Sequence, residues 1–508
     1  MSRRPSARRT LSRCLLSTVP LALVTCQAGA QVGARVGGAD PADTAAAGRF
    51  LASVRGVPRE ACTLIVYALE NQGWSPAAPG LMGPGPADRD LRATVAWATG
   101  GERRADVVPV LAPALGDADP CVRGVAARLL ARTRLKAATD ALLDGLGSDD
   151  STRREAAAAG LGSVRELRAA EPLRRALGDR AASVRTAAAL ALGSLRRSDA
   201  WFSTEVIAEV GAALWTPEVS ERRRSDDPAA VRALIAALAD PVAEVRAAAA
   251  IALGDIADTA AFGPLAAAVR DTVLEVRAGA ARALGQLRDR RAVEPLRALL
   301  HDGAWEVRRA AVGSLARLRD AGAAAGLREA LGDGRFEVRR SAASALGSLR
   351  DTAAVPALGS ALGDAAPEVR GAAARALGAL RDPRAVDALI ATLRDPDPGV
   401  RRDAAQALGA LRDPRAVPPL ARAVRDEEVE VRRTAARSLG ALRDARGVEA
   451  LAGALKDADL TVRRVAAQAL ASIRTDAAVT ALKTMDGSGD EVIQRIVDRV
   501  LERRHISL

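Results

Sequence analysis

Apolar residues recur along most of the chain in two alternating patterns, each with the period of an α-helix. One pattern, RAVDALIATLRD over residues 384–395, predicts a helix that we call helix A, with a buried face of Val386, Leu389, Ile390 and Leu393. The other pattern begins at Pro398 and predicts helix B, with a buried face of Val400, Ala404, Ala405, Leu408 and Leu411. An Asp-Pro pair before each helix supplies an N-cap and a first-turn proline.

The two-helix pattern returns every 31 residues. We mark each return by the arginine of a Val-Arg pair early in helix B, the anchor arginine: Arg246, Arg277, Arg308, Arg339, Arg370, Arg401, Arg432 and Arg463. Upstream, Arg185, Arg153, Arg123 and Arg92 continue the series at spacings of 32, 30 and 31, which makes twelve predicted units. Neither helix is long enough to be stable alone. Stacked units bury a continuous core, so the pattern predicts an all-α protein, an α-solenoid.

An aspartate lies six residues before the anchor arginine in most units. The aspartate lies at the C-terminal end of helix A, where the helix dipole disfavours a negative charge. The arginine lies at the N-terminal end of helix B, where the dipole disfavours a positive charge. We therefore expect the two rows to pair within or between units as a structural ladder, although an anion-binding row of arginines is the alternative. In the C-terminal units the ladder residues are Asp364, Arg370, Asp395, Arg401, Asp426, Arg432, Asp457 and Arg463.

The repeated sequence AVxxLxxALxDxxxEVRxAAAxALGxLRD resembles the HEAT repeat, in the short HEAT-like form of the phycobilisome bilin lyases. The resemblance covers residues 88–486. It implies a right-handed superhelix with helix B on the concave side, and it implies the Asp–Arg ladder. Some HEAT-like relatives are di-iron hydroxylases built on His-Glu pairs, but this chain has no His-Glu pair. The motif is specific for fold and says little about function.

The segments outside the repeats have their own signatures. Residues 1–30 resemble an export signal, because an arginine-rich start leads into an apolar run and an Ala-x-Ala site. Residues 31–87 predict a helical cap followed by a Gly/Pro-rich linker, and residues 487–508 predict a C-terminal capping helix. An insertion at 198–228 interrupts the repeats and carries Trp201, Phe202 and Trp215, which either cover a degenerate repeat or form a binding loop.

The cysteines leave two questions open: whether Cys26 is acylated, and whether Cys62 and Cys121 form a disulfide. Cys26 fits a lipoprotein signal poorly, because threonine precedes it, so a periplasmic or secreted protein is the favoured expectation. Cys62 and Cys121 could form one disulfide in an oxidising compartment. Two separate buried thiols are the favoured interpretation, because the two residues lie far apart in a modular chain.

The sequence predicts no catalytic residue, no cofactor and no metal. The chain has only two histidines, His301 and His505, and His301 stands at a turn position that other units fill with arginine or glycine. The repeated acids fit the ladder and the helix caps rather than a catalytic pair. Of the net charge of +12, five charges lie in residues 1–30, so residues 31–508 carry only +7, which does not indicate a nucleic-acid partner. No segment approaches the roughly 18 apolar residues of a membrane span.

One surface row remains as a candidate site. Positions one, five and nine after the anchor arginine form an exposed row on helix B, which we call the helix-B stripe: Arg375, Arg402, Gln406, Arg433, Arg437, Arg464 and Gln468, extended by Arg309 and Arg340. Ala247 and Ala278 hold these positions in the middle units, so the fold does not require the stripe. It predicts binding of a protein or an extended peptide, acidic or polar. A solvated face is the alternative, since 71 of the 74 basic residues are arginine.

These observations favour an exported, non-catalytic scaffold that binds a protein or peptide through its concave surface. The alternative is an enzyme or enzyme subunit similar to the HEAT-like bilin lyases. A third interpretation is a structural spacer, which would bind nothing through the stripe.

Overall fold

The computed structural model describes residues 41–58, Cys62, Ile65, 107–164, 166–195, 227–485 and 489–505. Secondary structure in these ranges consists of α-helices and short 3-10 turns, and no β-strand occurs in them. The predicted signal, the unit around Arg92 and the aromatic residues Trp201, Phe202 and Trp215 lie outside the described residues. In the described part of the chain, no helix is long and apolar enough to cross a membrane.

The chain divides into two compact parts, residues 1–191 and 192–508. The first part contains a cap helix and three repeat units. Its helices are α1 (Pro41–Val54), α2 (Val108–Leu111), α3 (Pro120–Thr133), α4 (Lys136–Leu146), α5 (Ser151–Val164), α6 (Ala170–Ala176) and most of α7 (Ala182–Leu195).

The second part contains a longer run of units in which short and long helices alternate. The short A helices are α8 (Pro228–Ala237), α10 (Phe262–Ala268), α12 (Val293–Ala298), α14 (Ala324–Glu329), α16 (Val355–Ala361), α18 (Val386–Thr392), α20 (Val417–Ala423), α22 (Val448–Ala454) and α24 (Asp476–Lys483). The long B helices are α9 (Ala243–Ile256), α11 (Leu274–Leu287), α13 (Trp305–Leu318), α15 (Phe336–Leu349), α17 (Pro367–Leu380), α19 (Pro398–Leu411), α21 (Val429–Leu442) and α23 (Leu460–Ile473), and α25 (Glu491–His505) follows the last unit. The alternation within each part confirms the predicted α-solenoid architecture.

Helix A is shorter than the sequence predicts, and helix B is as predicted. The Asp382 carboxylate accepts a hydrogen bond from the Arg384 amide at 2.9 Å and starts a 3-10 turn, Pro383–Ala385. The α-helix α18 then ends at Thr392, whose carbonyl accepts the Asp395 amide at 3.1 Å. Helix α19 begins where Asp397 accepts the Val400 amide at 3.0 Å. Helix A is short because a side-chain cap closes its first turn in the tighter 3-10 form.

Small residues let consecutive B helices approach closely. A Cβ atom on Gly378 of α17 would lie 2.8 Å from the Ala407 Cα atom of α19. Alanine and leucine side chains such as Leu377 and Leu408 are fully buried along the same seam. The close contact of backbones fills the core without bulky side chains, which explains how a chain with so few aromatic residues packs tightly.

A disulfide joins the N-terminal cap to the first described unit. Cys62 and Cys121 are bonded, with their Cα atoms 5.7 Å apart, so the favoured interpretation of two separate thiols was wrong. Beside this bond, the Gly56 amide donates to the Asp119 carboxylate at 2.7 Å. The two cysteines are 59 residues apart in sequence but adjacent in space, because the cap folds back onto α3.

Candidate functional site

Each anchor arginine of the second part except the last, Arg463, joins its own unit to the next. Arg370 donates from Nε and Nη2 to the two carboxylate oxygens of Asp395, at 2.7 Å each. Its Nη1 donates to the backbone carbonyl of Asp364 at 2.9 Å, at the end of helix A in its own unit. The same bidentate pairing recurs in Arg154–Asp179, Arg246–Asp271, Arg277–Asp302, Arg308–Asp333, Arg339–Asp364, Arg401–Asp426 and Arg432–Asp457.

The ladder neutralises charges that the helix dipoles alone would disfavour. Hydrogen bonds from Arg339 lower the pKa of Asp364 below its ordinary value. Burial acts to raise the pKa of Asp395, but the hydrogen bonds from Arg370 and from the Asp397 amide outweigh burial and lower it. Asp395 in turn raises the pKa of Arg370. Because Nε, Nη1 and Nη2 of a ladder arginine such as Arg370 all donate hydrogen bonds, its guanidinium has few donors left for a ligand.

At the N-terminal end of the ladder, the structure shows that one anchor arginine was predicted wrongly. Arg154, and not Arg153, pairs with Asp179 and donates to the Ser148 carbonyl at 2.9 Å. The unit therefore keeps the 31-residue spacing, and the apparent slip came from two adjacent arginines. In the preceding unit, Arg55 of the cap donates to the Asp117 carboxylate, from Nη1 to Oδ1 at 3.0 Å and from Nη2 to Oδ2 at 2.5 Å. The last anchor, Arg463, donates to the Asp457 carbonyl at 2.7 Å, and the position 25 residues later is a serine.

Most arginines of the helix-B stripe already have acidic partners. Arg402 donates to Asp403 at 2.8 Å, and Arg375 of the preceding unit donates to the same carboxylate. Arg464 binds Asp490 at 3.0 Å, and Arg433 binds Glu430. Asp403 lies outside the 31-residue pattern and Asp490 precedes the next helix, so sequence periodicity did not show these two partners. Glu430 belongs to the recurring Glu-Val-Arg triplet and lies on the same helix as Arg433.

The rest of the stripe faces solvent. Gln406, Gln468, Arg437 and Arg340 are exposed, and the two arginines form no ion pair within the described ranges. Arg309 is exposed too, with its guanidinium 5.2 Å from the centre of the Trp305 ring.

Asp403 is an exception to the repeat. Its residue is 3% exposed, at a helix-B position that neighbouring units fill with Ala372 or Thr434. Gly371 leaves room for the carboxylate, since a Cβ atom there would lie 3.0 Å from Oδ2 of Asp403. A buried carboxylate requires compensation, and the two stripe arginines, Arg375 and Arg402, supply it.

A cavity of about 490 Å³ lies between α17 and α19. Its wall contains Arg375 and Gln406 of the stripe, the paired carboxylate of Asp403, and two further arginines, Arg350 and Arg381. Three guanidinium groups against one carboxylate make the lining net positive. Such a lining suits a ligand that carries carboxylates or phosphates, because guanidinium groups bind these groups in a bidentate fashion.

Arg350 and Arg381 belong to a second row that sequence reasoning missed. Each B helix from α11 to α23 ends on an arginine in the left-handed region, with φ between 51° and 61°. We call these residues the cap arginines: Arg288, Arg319, Arg350, Arg381, Arg412, Arg443 and Arg474. All seven are exposed. The recurring Leu-Arg-Asp triplet could have indicated this row, because its arginine directly follows the last residue of helix B, a position where glycine is common.

Candidate metal ligands are scattered in the described ranges. No group of three or more His, Cys, Asp or Glu side chains in them lies close enough to hold an ion. His301 is exposed at the end of a 3-10 turn, as its turn position predicts.

Comparison with solved structures finds chains that match with TM-scores below 0.5. Kap95p in a study of its binding to RanGDP matches with 14% identity and a TM-score of 0.46, over 90% of this chain and 62% of that chain. Importin beta matches with 17% identity and a TM-score of 0.49, over 86% and 61%. The CpcE–CpcF complex of phycocyanin lyase from Nostoc sp. PCC7120 matches with 27% identity and a TM-score of 0.25, over 51% and 94%. The chain thus spans about three fifths of the Kap95p and importin beta chains.

No curated protein matches the chain by sequence. The family model of HEAT repeats matches residues 85–162, 231–315, 263–347, 298–367, 325–394, 355–433 and 420–501. These matches cover more than half of the chain. The chain is a member of the HEAT-repeat family.

Proposed function

We propose that this protein is a non-catalytic scaffold that binds a partner protein through the exposed face of its B helices. The observation that carries the proposal is the positively lined cavity between α17 and α19, which opens on that face. A stacked array of B helices offers a long, continuous surface, as repeat proteins use for extended partners. The stripe residues Gln406, Arg437 and Gln468 add exposed polar groups to the same face.

We also propose that the scaffold acts outside the cytoplasm. Residues 1–30 have the composition of an export signal, so the periplasm or the exterior is the proposed location, with acylation at Cys26 as the less favoured variant. The disulfide between Cys62 and Cys121 supports this proposal, because disulfides persist in oxidising compartments. The partner is accordingly sought among envelope proteins.

The first experiment is a pull-down from envelope extract, read by mass spectrometry. The variant must not disturb internal ion pairs, which excludes charge reversal at Arg402, since a glutamate there would face the buried Asp403. Arg340→Glu combined with Arg437→Glu changes two stripe residues that have no ion pair within the described ranges. We expect the native chain to retain a specific partner and this variant to lose it.

The matched control is Arg270→Glu combined with Arg394→Glu. Both residues are exposed and lie at the turn between helix A and helix B, away from the stripe. The control makes the same charge change and should retain the partner. If the stripe variant and the control bind the partner equally well, the helix-B face is not the binding surface and the proposal fails.

A further inference from the structure

The cap arginines form a row of positive charges that have no ion-pair partner among the described residues. Six of the seven precede an aspartate, but each of these aspartates pairs with a different arginine. The pairs are Asp289–Arg291, Asp320–Arg290, Asp351–Arg328, Asp382–Arg384, Asp413–Arg415 and Asp444–Arg446, at 2.6 to 3.5 Å. The cap arginines themselves form no ion pair in the part of the chain that the structure describes. Their charge is therefore available to a ligand.

The backbone conformation at the cap arginines is costly. A non-glycine residue is less stable in the left-handed region than in an ordinary helical conformation, and glycine avoids that loss. The attraction between a positive charge and the C-terminal end of the helix dipole offsets only part of that loss. Ala257 ends α9 in the same conformation, with φ of 58°, so the fold does not require arginine there. The same unfavourable choice in seven successive units points to a role beyond stability.

The row is regular and leads into the cavity. The B helices that carry it pack against one another in chain order, at the separation of about 8–10 Å typical of packed helices. One cap arginine therefore stands at each step of the array. Arg350 and Arg381 also line the cavity beside Arg375, so the row and the helix-B stripe face one continuous cleft at this point.

We propose that the cap arginines bind an extended acidic segment of a partner protein, in which carboxylates recur about once per repeat unit. An extended peptide rises about 3.3 Å per residue, so about three residues span one helix-to-helix step. Each guanidinium receives a carboxylate in bidentate geometry. The inference rests on the proposed scaffold function and adds that the partner is acidic and that the cap arginines bind it.

A protein segment fits the row better than a single-stranded nucleic acid. Proteins that bind single strands combine positive charge with aromatic side chains on which bases stack. Trp305 and Phe336 are the first residues of α13 and α15, at the opposite end of each helix from its cap arginine. The Phe262 ring is covered by the guanidinium of Arg291 at 4.2 Å. Within the described part of the chain, the row thus offers charge without stacking surfaces.

The test measures binding of a fluorescein-labelled oligoglutamate to the full-length purified protein by fluorescence anisotropy. A peptide of roughly 20 residues spans the row. The test variant is Arg350→Asn, Arg381→Asn and Arg412→Asn, since asparagine is neutral and tolerates the left-handed conformation. The matched control is Arg270→Asn, Arg394→Asn and Arg425→Asn, which removes three exposed charges at the other end of the units. Circular dichroism verifies that both variants are folded.

We expect the test variant to bind oligoglutamate at least about tenfold more weakly, and the control to change affinity less than about twofold. Equal weakening by both variants, or none by the test variant, would overturn the inference. So would tighter binding of an oligothymidylate of equal charge that is lost in the test variant, because it would assign the row to nucleic acid. Failure of the native protein to bind oligoglutamate would also overturn it. The pull-down would then still decide the scaffold function, since its variant leaves the cap arginines intact.

Discussion

The guanidinium of Arg370 lies 2.7 Å from each carboxylate oxygen of Asp395, in the next repeat unit, and 2.9 Å from the carbonyl of Asp364 in its own unit. One side chain thereby closes the end of one helix and holds the neighbouring unit in register. The side chains of Arg370 and Asp395 are only 13% and 7% exposed, so water screens this pair weakly.

Removing one ladder arginine should destabilise the array. We expect Arg370→Ala to lower the free energy of unfolding by about 2–3 kcal/mol, because it leaves a largely buried carboxylate unpaired. The measurement is the midpoint of urea unfolding followed by circular dichroism. Arg384→Ala is the control, since its side chain is 59% exposed in its pair with Asp382 and should leave the midpoint nearly unchanged. Equal shifts in the two variants would contradict a structural role of the ladder.

Acid should unfold the array cooperatively. The pKa is lowered in a set of ladder carboxylates: Asp179, Asp271, Asp302, Asp333, Asp364, Asp395 and Asp457. A carboxylate with a lowered pKa in the folded state stabilises that state above its unfolded pKa of about 3.9. This stabilisation is lost as the pH falls through the folded value. We expect a constant melting temperature above about pH 5 and a steep fall below about pH 4, and a melting temperature that rises on acidification would contradict it.

The glycine seam between B helices should not accept a methyl group. In Gly378→Ala the new Cβ would lie 2.8 Å from the Ala407 Cα atom, so the backbones must separate. We expect a loss of about 1–3 kcal/mol in unfolding free energy, as for other overpacked cores. Gly359→Ala in α16 is the control, because nothing lies within 4 Å of its Cβ position, and alanine should stabilise that helix slightly. Thermal denaturation of both variants measures the difference.

A cap arginine should be replaceable by glycine with a gain in stability. Arg381 has φ of 54°, which glycine adopts without strain. We expect Arg381→Gly to raise the free energy of unfolding by roughly 0.5–1 kcal/mol, after the lost attraction to the helix dipole is subtracted. Differential scanning calorimetry of the variant beside Arg381→Ala checks this, since alanine retains the unfavourable conformation. A lower melting temperature for the glycine variant than for the alanine variant would refute the strain argument.

Reduction should loosen the N-terminal cap and leave the distant repeats intact. The bond between Cys62 and Cys121 holds residues 59 positions apart, and loss of such a bond costs about 2–5 kcal/mol. We expect reductant to lower the first thermal transition of the native protein and to have no effect on the variant Cys62→Ser with Cys121→Ser. Quantitative alkylation of Cys62 in the oxidised, folded protein would show that the bond is absent.

The sequence alone determined the local structure and its period. A helix cap such as Asp397-Pro398 and the apolar face around Leu408 depend on residues within a few turns of one another, and the anchor arginines mark the 31-residue period. The apolar faces recur from unit to unit, and this repetition makes the helix pairs predictable from the sequence alone. The stacking of two-helix units follows from them, because neither helix can bury its apolar face alone.

Only the tertiary structure decided which charges meet. Adjacent arginines at 153 and 154 look equivalent in sequence, but the helix directs only Arg154 toward Asp179. Asp403 and Asp490 neutralise arginines of the stripe from another helix, and Arg55 reaches Asp117 across 62 residues. These pairings depend on distances between side chains of different units. The local pattern therefore places the charges in rows, and the packing of the units determines which of them stay free to bind a partner.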